Sequence, residues 1–182
     1  MEFSKMRAEA IDDIIEKLTF DGAFKRAGIY AKSVEDFEKN KFRKSIMKQL
    51  KEMLEKPFLE KVYNDENHYK IIEEFCNNMT AKHTSILKDG RLRIGNAQKL
   101  VNVYWKCNWL LKENIQEPIH CPFDSIIIKQ LDKSLHNKRW TQIKEIYDYQ
   151  LLVKTAREKA KEQGLSLAKW ELKHTLKKRN SY

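Results

Sequence analysis

Residues 92–131 read LRIGNAQKLVNVYWKCNWLLKENIQEPIHCPFDSIIIKQL. Apolar side chains recur every three or four positions between residues 97 and 113, which is the period of an amphipathic helix. A tight turn at residues 93–97 precedes this helix, and a loop bounded by prolines follows it. Asp124 then occupies an N-cap position, because its carboxylate can accept backbone N–H groups at the start of a helix. The stretch therefore predicts a turn, a long helix, a loop and a further helix.

The helical period continues on both sides of this stretch, and strand-like alternation is almost absent. The sequence predicts seven helices, at approximately residues 6–18, 33–55, 65–87, 97–113, 124–135, 141–164 and 166–178. Gly22 and Gly28 are expected to bracket a connector, Ser33 and Asp36 match a capping box, and Phe37 is expected in the core. The sequence thus predicts an all-α fold of about seven or eight helices, in one domain spanning residues 1–182.

The chain is strongly basic, with a formal net charge of +10 from 36 Lys and Arg against 26 Asp and Glu. Residues 1–90 contain 17 basic and 17 acidic side chains, whereas residues 91–182 contain 19 basic and 9 acidic ones. Phosphates gain from contact with Lys and Arg through counterion release, so a one-sided excess favours a polyanion as partner. The alternative is a basic charge that serves only solubility. We expect a neutral scaffold at 1–90 and the functional site at 91–182.

The composition excludes several other classes of protein. No run approaches the roughly 18 apolar residues of a membrane-spanning helix, and the N-terminus MEFSKMRAEA lacks the apolar region of a secretory signal. The three cysteines, Cys76, Cys107 and Cys121, are odd in number and irregularly spaced, which argues against a disulfide framework or a zinc site. We expect a cytoplasmic protein, nucleoid-associated if bacterial, with no membrane partner, metal or organic cofactor.

The segment from Gly95 to Asp124 contains an amine and a carboxylate, the two groups needed to cleave an N-glycosidic bond. A turn at a helix N-terminus exposes backbone N–H groups that suit a DNA phosphate. Lys99 is predicted in the first turn of the helix, where we expect dipoles and cations to disfavour its ammonium form and leave more neutral amine as nucleophile. Asp124, as an N-cap, is fixed in direction and kept ionised. Such a carboxylate stabilises a positive sugar-like transition state while the amine attacks C1′ to form a Schiff base.

This pattern resembles the helix-hairpin-helix DNA glycosylases, most of all the 8-oxoguanine glycosylase branch, including its archaeal form. Members of that superfamily have a hairpin ending in Gly-x-Gly-x-Lys, an apolar helix and a Pro-Val-Asp-like element. Two groups of residues match these elements: Gly95, Asn96, Ala97, Gln98 and Lys99 for the hairpin, and Pro122, Phe123 and Asp124 for the aspartate element. The resemblance covers 40 of 182 residues. It implies Lys99 as the Schiff-base nucleophile and Asp124 as the catalytic carboxylate.

Three features depart from the family pattern. The second hairpin glycine is Ala97, so the backbone approaches phosphate less closely. No proline precedes Gly95, and the 25 residues between Lys99 and Asp124 require a longer loop at 112–121.

Other residues of the second half are candidates for nucleic-acid contact. Five polar or basic side chains flank the hairpin and could contact phosphate or remain solvated: Arg91, Arg93, Asn96, Gln98 and Lys129. Trp140 follows two basic residues and is the aromatic side chain expected nearest a pocket, where it could stack on an extruded base.

The sequence therefore predicts a monomeric DNA glycosylase, with or without AP-lyase activity, that excises a damaged or modified base from double-stranded DNA. Two alternatives stay open. One is a non-catalytic helical DNA- or RNA-binding protein of regulatory, defence or phage type. The other is a helical interaction module whose charge serves only solubility.

Overall fold

A computed structural model describes residues 2–25 and 27–179 of the protein. These residues form seven α-helices and three short 3₁₀ turns, as the helical period of the sequence predicts for the fold class. The helices are α1 (Phe3–Phe24), α2 (Asp36–Leu54), α3 (Asp65–His83), α4 (Ile94–Leu111), α5 (Ser125–Ile128), α6 (Ile146–Glu162) and α7 (Leu167–Arg179). The 3₁₀ turns are Lys88–Gly90, Lys133–Leu135 and Trp140–Gln142. The described ranges contain no strand beyond one isolated bridge, so the all-α class is confirmed. None of their helices is long and apolar enough to cross a bilayer.

Helix α4 is the centre of the fold, because fourteen of its 18 residues are buried. Helix α1 packs along it, and α2, α3, α6 and the turn Trp140–Gln142 cover its other sides. Large side chains such as Trp105, Phe75 and Tyr149 are almost fully buried around it. Each apolar side chain of this size stabilises the fold by about 1.5–3 kcal/mol when it leaves water.

Several helices begin at a polar residue whose side chain accepts a backbone N–H group of the first turn. Asn64 accepts the amide of Asn67 at the start of α3, and Asp124 accepts the amides of Ile126 and Ile127 at the start of α5. Ser166 Oγ accepts the amide of Lys169 at the start of α7. The predicted cap at Asp124 is therefore confirmed, and Ser166 caps α7 at the helix start that the sequence predicts.

The first half differs from the sequence prediction at several helix ends and in one core residue; α3, for example, ends at His83 instead of near residue 87. Helix α1 continues through Gly22, because a Cβ there would lie 3.2 Å from Val103 Cγ1 and the small residue lets α1 approach α4. The capping box at the start of α2 is formed by Glu35 and Glu38 rather than by Ser33 and Asp36. Phe37, expected in the core, is 75% exposed, because it lies in the first turn of α2 before the helix reaches its partners.

The second half differs more, and the differences surround α4. Residues 93–97, predicted as a turn, belong almost entirely to α4, which begins at Ile94, so the structure does not confirm a helix-hairpin-helix element. Helix α5 ends at Ile128 instead of reaching Leu135, and α6 begins at Ile146 instead of Thr141. The intervening chain is not α-helical: it contains the 3₁₀ turns Lys133–Leu135 and Trp140–Gln142. Ile143 is extended, and its carbonyl accepts the amide of Gly95.

Candidate functional site

Lys99 and Asp124 form an ion pair between α4 and the start of α5. Lys99 lies in the second turn of α4 rather than in the first, because the helix begins at Ile94. Its Nζ donates to Asp124 Oδ2 at 2.8 Å. The other carboxylate oxygen, Oδ1, accepts the amides of Ile126 and Ile127 at 2.9 and 3.1 Å. The Lys99 side chain is 6% exposed and the Asp124 side chain 30% exposed, so solvent reaches the pair from the carboxylate side. The fold thus brings together an amine and a carboxylate that are 25 residues apart.

The environment of Asp124 keeps its carboxylate ionised. Burial alone would raise the pKa of this carboxyl. The charge and hydrogen bond of Lys99, together with the amides of Ile127 and Ile126, outweigh burial and lower the pKa of Asp124 below its ordinary value. The result is a fixed negative charge beside a nearly buried amine.

Gln98, the neighbour of Lys99, holds the chain that leads into Asp124. Its Nε2 donates to the carbonyl of Phe123 at 2.9 Å, and its Oε1 accepts the amide of Phe123 at 3.1 Å. Both backbone groups of the residue before Asp124 are therefore bonded to one fully buried side chain. Because the Nε2 of Gln98 also donates to the carbonyl of Gly95, the start of α5 is fixed relative to α4.

The 3₁₀ turn Trp140–Gln142, called here the Trp140 turn, covers Lys99. The Trp140 ring centroid lies 5.8 Å from Lys99 Nζ, a cation–π distance. The Trp140 carbonyl oxygen lies only 1.6 Å from where a Cβ on Gly95 would be. The turn can therefore pack in this position only if residue 95 is a glycine. Arg93 Nη1 donates to the carbonyl of Thr141 at 2.9 Å and closes the other side.

Exposed cations lie before and after the Trp140 turn in the sequence. The segment 129–144, called here the basic segment, contains five basic side chains and one acidic one. Four of the five are exposed and form no ion pair with any described residue: Lys129, Lys133, Arg139 and Lys144. The fifth, Lys138, pairs with Asp148. Arg91, just before α4, is exposed as well. Such unpaired charge suits a phosphate backbone.

The residues predicted to contact nucleic acid fall into two groups. Arg91 and Lys129 are exposed, and Trp140 and Arg93 are half-buried at the Trp140 turn. Residues 95–98 lie inside the protein, where their contacts are with its own chain. Asn96 is 4% exposed and its Nδ2 has no hydrogen-bond partner, whereas Gln98 is fully bonded.

A buried polar network beside the ion pair was not predicted. Asn102 Nδ2 donates to the carbonyl of Cys121 at 3.1 Å and to Tyr149 Oη at 2.9 Å, and its Oδ1 accepts from His68 Nε2 at 2.7 Å. His120 continues the network from Tyr149 Oη, at 2.8 Å, to the carboxylate of Asp65, at 3.3 Å. The sequence signal was polar residues on an otherwise apolar helix, at Gln98 and Asn102.

Burial sets the protonation of this network. It lowers the pKa of His68 well below its ordinary value, and the nearby His120 adds to the effect. Burial lowers the pKa of His120 too, although Asp65 opposes it. Burial also raises the pKa of the Tyr149 phenol and of the Cys121 thiol well above their ordinary values. Both imidazoles are therefore neutral near pH 7, and the network serves to position the loop before Asp124.

The described residues contain no group of three His, Cys, Asp or Glu side chains that could hold a metal ion. In comparisons with known proteins, no protein-family model, no curated protein and no solved structure matches the chain.

Proposed function

We propose that the protein is a DNA glycosylase with AP-lyase activity, in which Lys99 is the nucleophile and Asp124 the assisting carboxylate. The observation that carries the proposal is the 2.8 Å contact between Lys99 Nζ and Asp124 Oδ2. It joins a nucleophile to a carboxylate whose second oxygen is fixed by two backbone amides. A fixed carboxylate can stabilise positive charge developing at C1′ without reorganising during the reaction.

The proposed chemistry balances with these two side chains and the substrate. A proton of Lys99 Nζ passes to the base, which leaves with the electrons of the C1′–N bond, while Asp124 stabilises the positive sugar. The amine lone pair then forms a bond to C1′. Opening of the sugar ring moves a second Nζ proton to O4′ and leaves an iminium between Nζ and C1′. The Asp124 carboxylate then takes a C2′ proton from this iminium. The electrons of the C2′–H bond form a C2′–C3′ double bond, and the 3′ phosphate leaves with the electrons of the C3′–O bond in the lyase step.

Access to Lys99 requires the Trp140 turn to move, because the turn covers the amine. The basic segment, which contains that turn, supplies four cations that form no ion pair with any described residue. Phosphate contacts there would offset the few kcal/mol that extruding a nucleotide costs. Binding of the backbone and uncovering of the amine would thus be coupled.

Borohydride trapping tests the proposal. The protein is mixed with duplex oligonucleotides that contain 8-oxoguanine, uracil or an abasic site, and borohydride reduces any Schiff base to a stable adduct. We expect an adduct with the wild-type protein and none with Lys99→Met. The matched control is Lys106→Met, because Lys106 lies on the same helix and forms a 2.6 Å ion pair with Glu171 that is also largely buried. Lys106→Met should still be trapped.

Either of two results would overturn the proposal: a Lys99→Met adduct as strong as that of the wild type, or no adduct and no base release with any of the three duplexes. Circular dichroism of each variant confirms that the comparison is between folded proteins.

A second candidate is a nucleic-acid-binding protein without catalysis. It is favoured by the burial of residues 95–98 within the fold and by the closed ion pair under the Trp140 turn. The same preparations distinguish the two functions. Tight, salt-sensitive binding without an adduct or base release supports this candidate, whereas no binding at all leaves a helical interaction module.

A further inference from the structure

A cleft of about 720 Å³ lies between α1 and α2, separate from the residues around Lys99. We call it the α1–α2 cleft. Its volume falls within the range of about 300–1,000 Å³ that small-molecule sites occupy. Its floor is formed by Phe20, which is buried, and by Phe24, Tyr30 and Arg43, which are half-buried. Acidic and basic side chains, most of them exposed, form the rim.

Arg43 is held on the aromatic floor of the cleft. Its guanidinium carbon lies 5.4 Å from the ring centroid of Phe20 and 5.9 Å from that of Phe24. Its Nε is buried and has no hydrogen-bond partner. No described carboxylate forms an ion pair with Arg43, although three acidic residues line the same cleft. The stacked guanidinium is therefore a positioned cation with free donor capacity.

Tyr30 adds a second unsatisfied polar atom to the same wall. Its hydroxyl is buried without a hydrogen-bond partner, and its ring stands edge-on to Phe24 at 5.7 Å. The chain around it is fixed, since Ala31 donates to the carbonyl of Ile86 and Lys88 to the carbonyl of Ile29. Buried polar groups are normally hydrogen-bonded, so both donors would gain from an acceptor. Because both atoms are buried in the free protein, a ligand in the cleft would bond to them only after the two side chains shift toward it.

An anionic acceptor attached to a partly apolar body fits this wall best. Arg43 Nε can only donate, and a charged acceptor gives the strongest hydrogen bond to a guanidinium. The faces of Phe24 and Tyr30 provide apolar surface beside it. We propose that the α1–α2 cleft binds a small aromatic carboxylate or phosphate, whose anionic group accepts hydrogen bonds from Arg43 and Tyr30 and whose ring packs on the aromatic floor.

The test uses the full chain and four probes: phenyl phosphate, benzoate, inorganic phosphate and benzyl alcohol. Amide chemical shifts measured by two-dimensional NMR report both the affinity and the place of binding. We expect phenyl phosphate or benzoate to shift the amides of α1 and α2 that line the cleft. Inorganic phosphate, which lacks the ring, and benzyl alcohol, which lacks the charge, should bind at least about tenfold more weakly.

Three variants assign the binding to the two side chains. Arg43→Gln should weaken phenyl phosphate or benzoate binding about tenfold or more, because a charged hydrogen bond is removed. Tyr30→Phe should weaken it about threefold and leave the thermal midpoint unchanged or raised, because its hydroxyl is unpaired in the free protein. Lys48→Gln is the control on α2, since Lys48 is exposed, pairs with Glu52 and does not line the cleft.

The inference is overturned if neither aromatic anion shifts these amides at millimolar concentration, or if inorganic phosphate binds as tightly as phenyl phosphate. It is also overturned if Tyr30→Phe and Arg43→Gln bind like the wild type. The cleft is independent of the proposed glycosylase site, so Lys99→Met should bind the same probes unchanged.

Discussion

At the scale of single residues, the two oxygens of Asp124 have separate tasks. Oδ1 caps α5 through two amides, and Oδ2 pairs with Lys99. The pair is asymmetric in burial, since the Lys99 side chain is 6% exposed and that of Asp124 30% exposed. Removing one partner therefore has a different consequence from removing the other.

Asp124→Asn should destabilise the protein more than Lys99→Met. Asparagine keeps the cap but leaves the nearly buried Lys99 without a counter-charge, a change that costs about 3–5 kcal/mol. Lys99→Met leaves a carboxylate that is still bonded to two amides and partly solvated, and we expect a loss of about 1–2 kcal/mol. Urea unfolding measures both variants, and an equal or reversed order would contradict the burial asymmetry.

How far these residues could be predicted depends on where their partners lie. The cap at Asp124 could be predicted because Pro122 before it and the apolar run after it mark a helix start. Gln98 and Asn102 could be seen as polar residues in an apolar helix. Their partners, the backbone of Phe123 and of Cys121, are brought to them only by the fold. A side chain that binds distant backbone leaves no spacing pattern in the sequence.

At the scale of elements, the N-terminal turn of α4 and the Trp140 turn form one unit. The carbonyl oxygen of Trp140 lies against Gly95, in the space that a Cβ at this position would occupy. The amide of Gly95 donates to the carbonyl of Ile143. The long helices were predicted well because their apolar periods are long. The ends of α5 and α6 were not, because residues 129–145 form 3₁₀ turns and a tertiary bond from Gly95 to Ile143 that no local pattern shows.

Gly95→Ala should release the Trp140 turn. Alanine favours the helix by about 1 kcal/mol over glycine, but its Cβ would lie 1.6 Å from the Trp140 oxygen, so the turn must leave. We expect a net loss of about 1–3 kcal/mol and faster tryptic cleavage after Arg139 and Lys144. Gly22→Ala is the control, since its Cβ meets only the Val103 side chain at 3.2 Å. Unchanged proteolysis of Gly95→Ala would show that the turn does not depend on this glycine.

At the scale of the whole molecule, the two halves defined by charge are interlocked. Helix α1 packs along α4, Lys112 pairs with Asp12 at 2.7 Å, and Arg157 pairs with Asp65. Two neutral imidazoles, His68 and His120, lie buried side by side with their ring centroids 4.5 Å apart. The buried imidazoles predict how the stability of the protein depends on pH, and the charge excess predicts how its affinity for nucleic acid depends on salt.

Stability should fall as the pH drops below 6.5, the ordinary pKa of histidine. The pKa of His68 is lowered in the folded state, so the unfolded chain binds a proton that the folded protein does not. This contribution reduces the free energy of unfolding by about 1.4 kcal/mol per pH unit for each such histidine. His68→Gln should remove one such contribution, measured by urea unfolding between about pH 7 and about pH 5. A slope equal to that of the wild type would contradict the buried neutral state.

Under the proposed function, nucleic-acid affinity should depend on the basic segment more than on total charge. Replacing Lys129, Lys133, Arg139 and Lys144 by glutamine should lower the slope of log K against log salt by about 0.9 for each phosphate that the protein no longer neutralises. The control changes the same charge elsewhere, at the exposed Lys5, Lys32, Lys41 and Lys61. Fluorescence anisotropy of a labelled duplex measures both proteins. Equal reductions in affinity would show that the basic segment is not the binding surface.

The packing of α1 along α4 also sets an order of events during synthesis. About 70 residues separate the end of α1 at Phe24 from the start of α4 at Ile94. At roughly 5–20 residues per second, a ribosome needs about 4–14 s to make them. Throughout that time the buried stripe of α1, including Ile15 and Phe20, lacks the helix against which α1 packs most extensively. The nascent chain therefore presents an apolar helix face that chaperones can bind, and its core closes only when α4 has emerged.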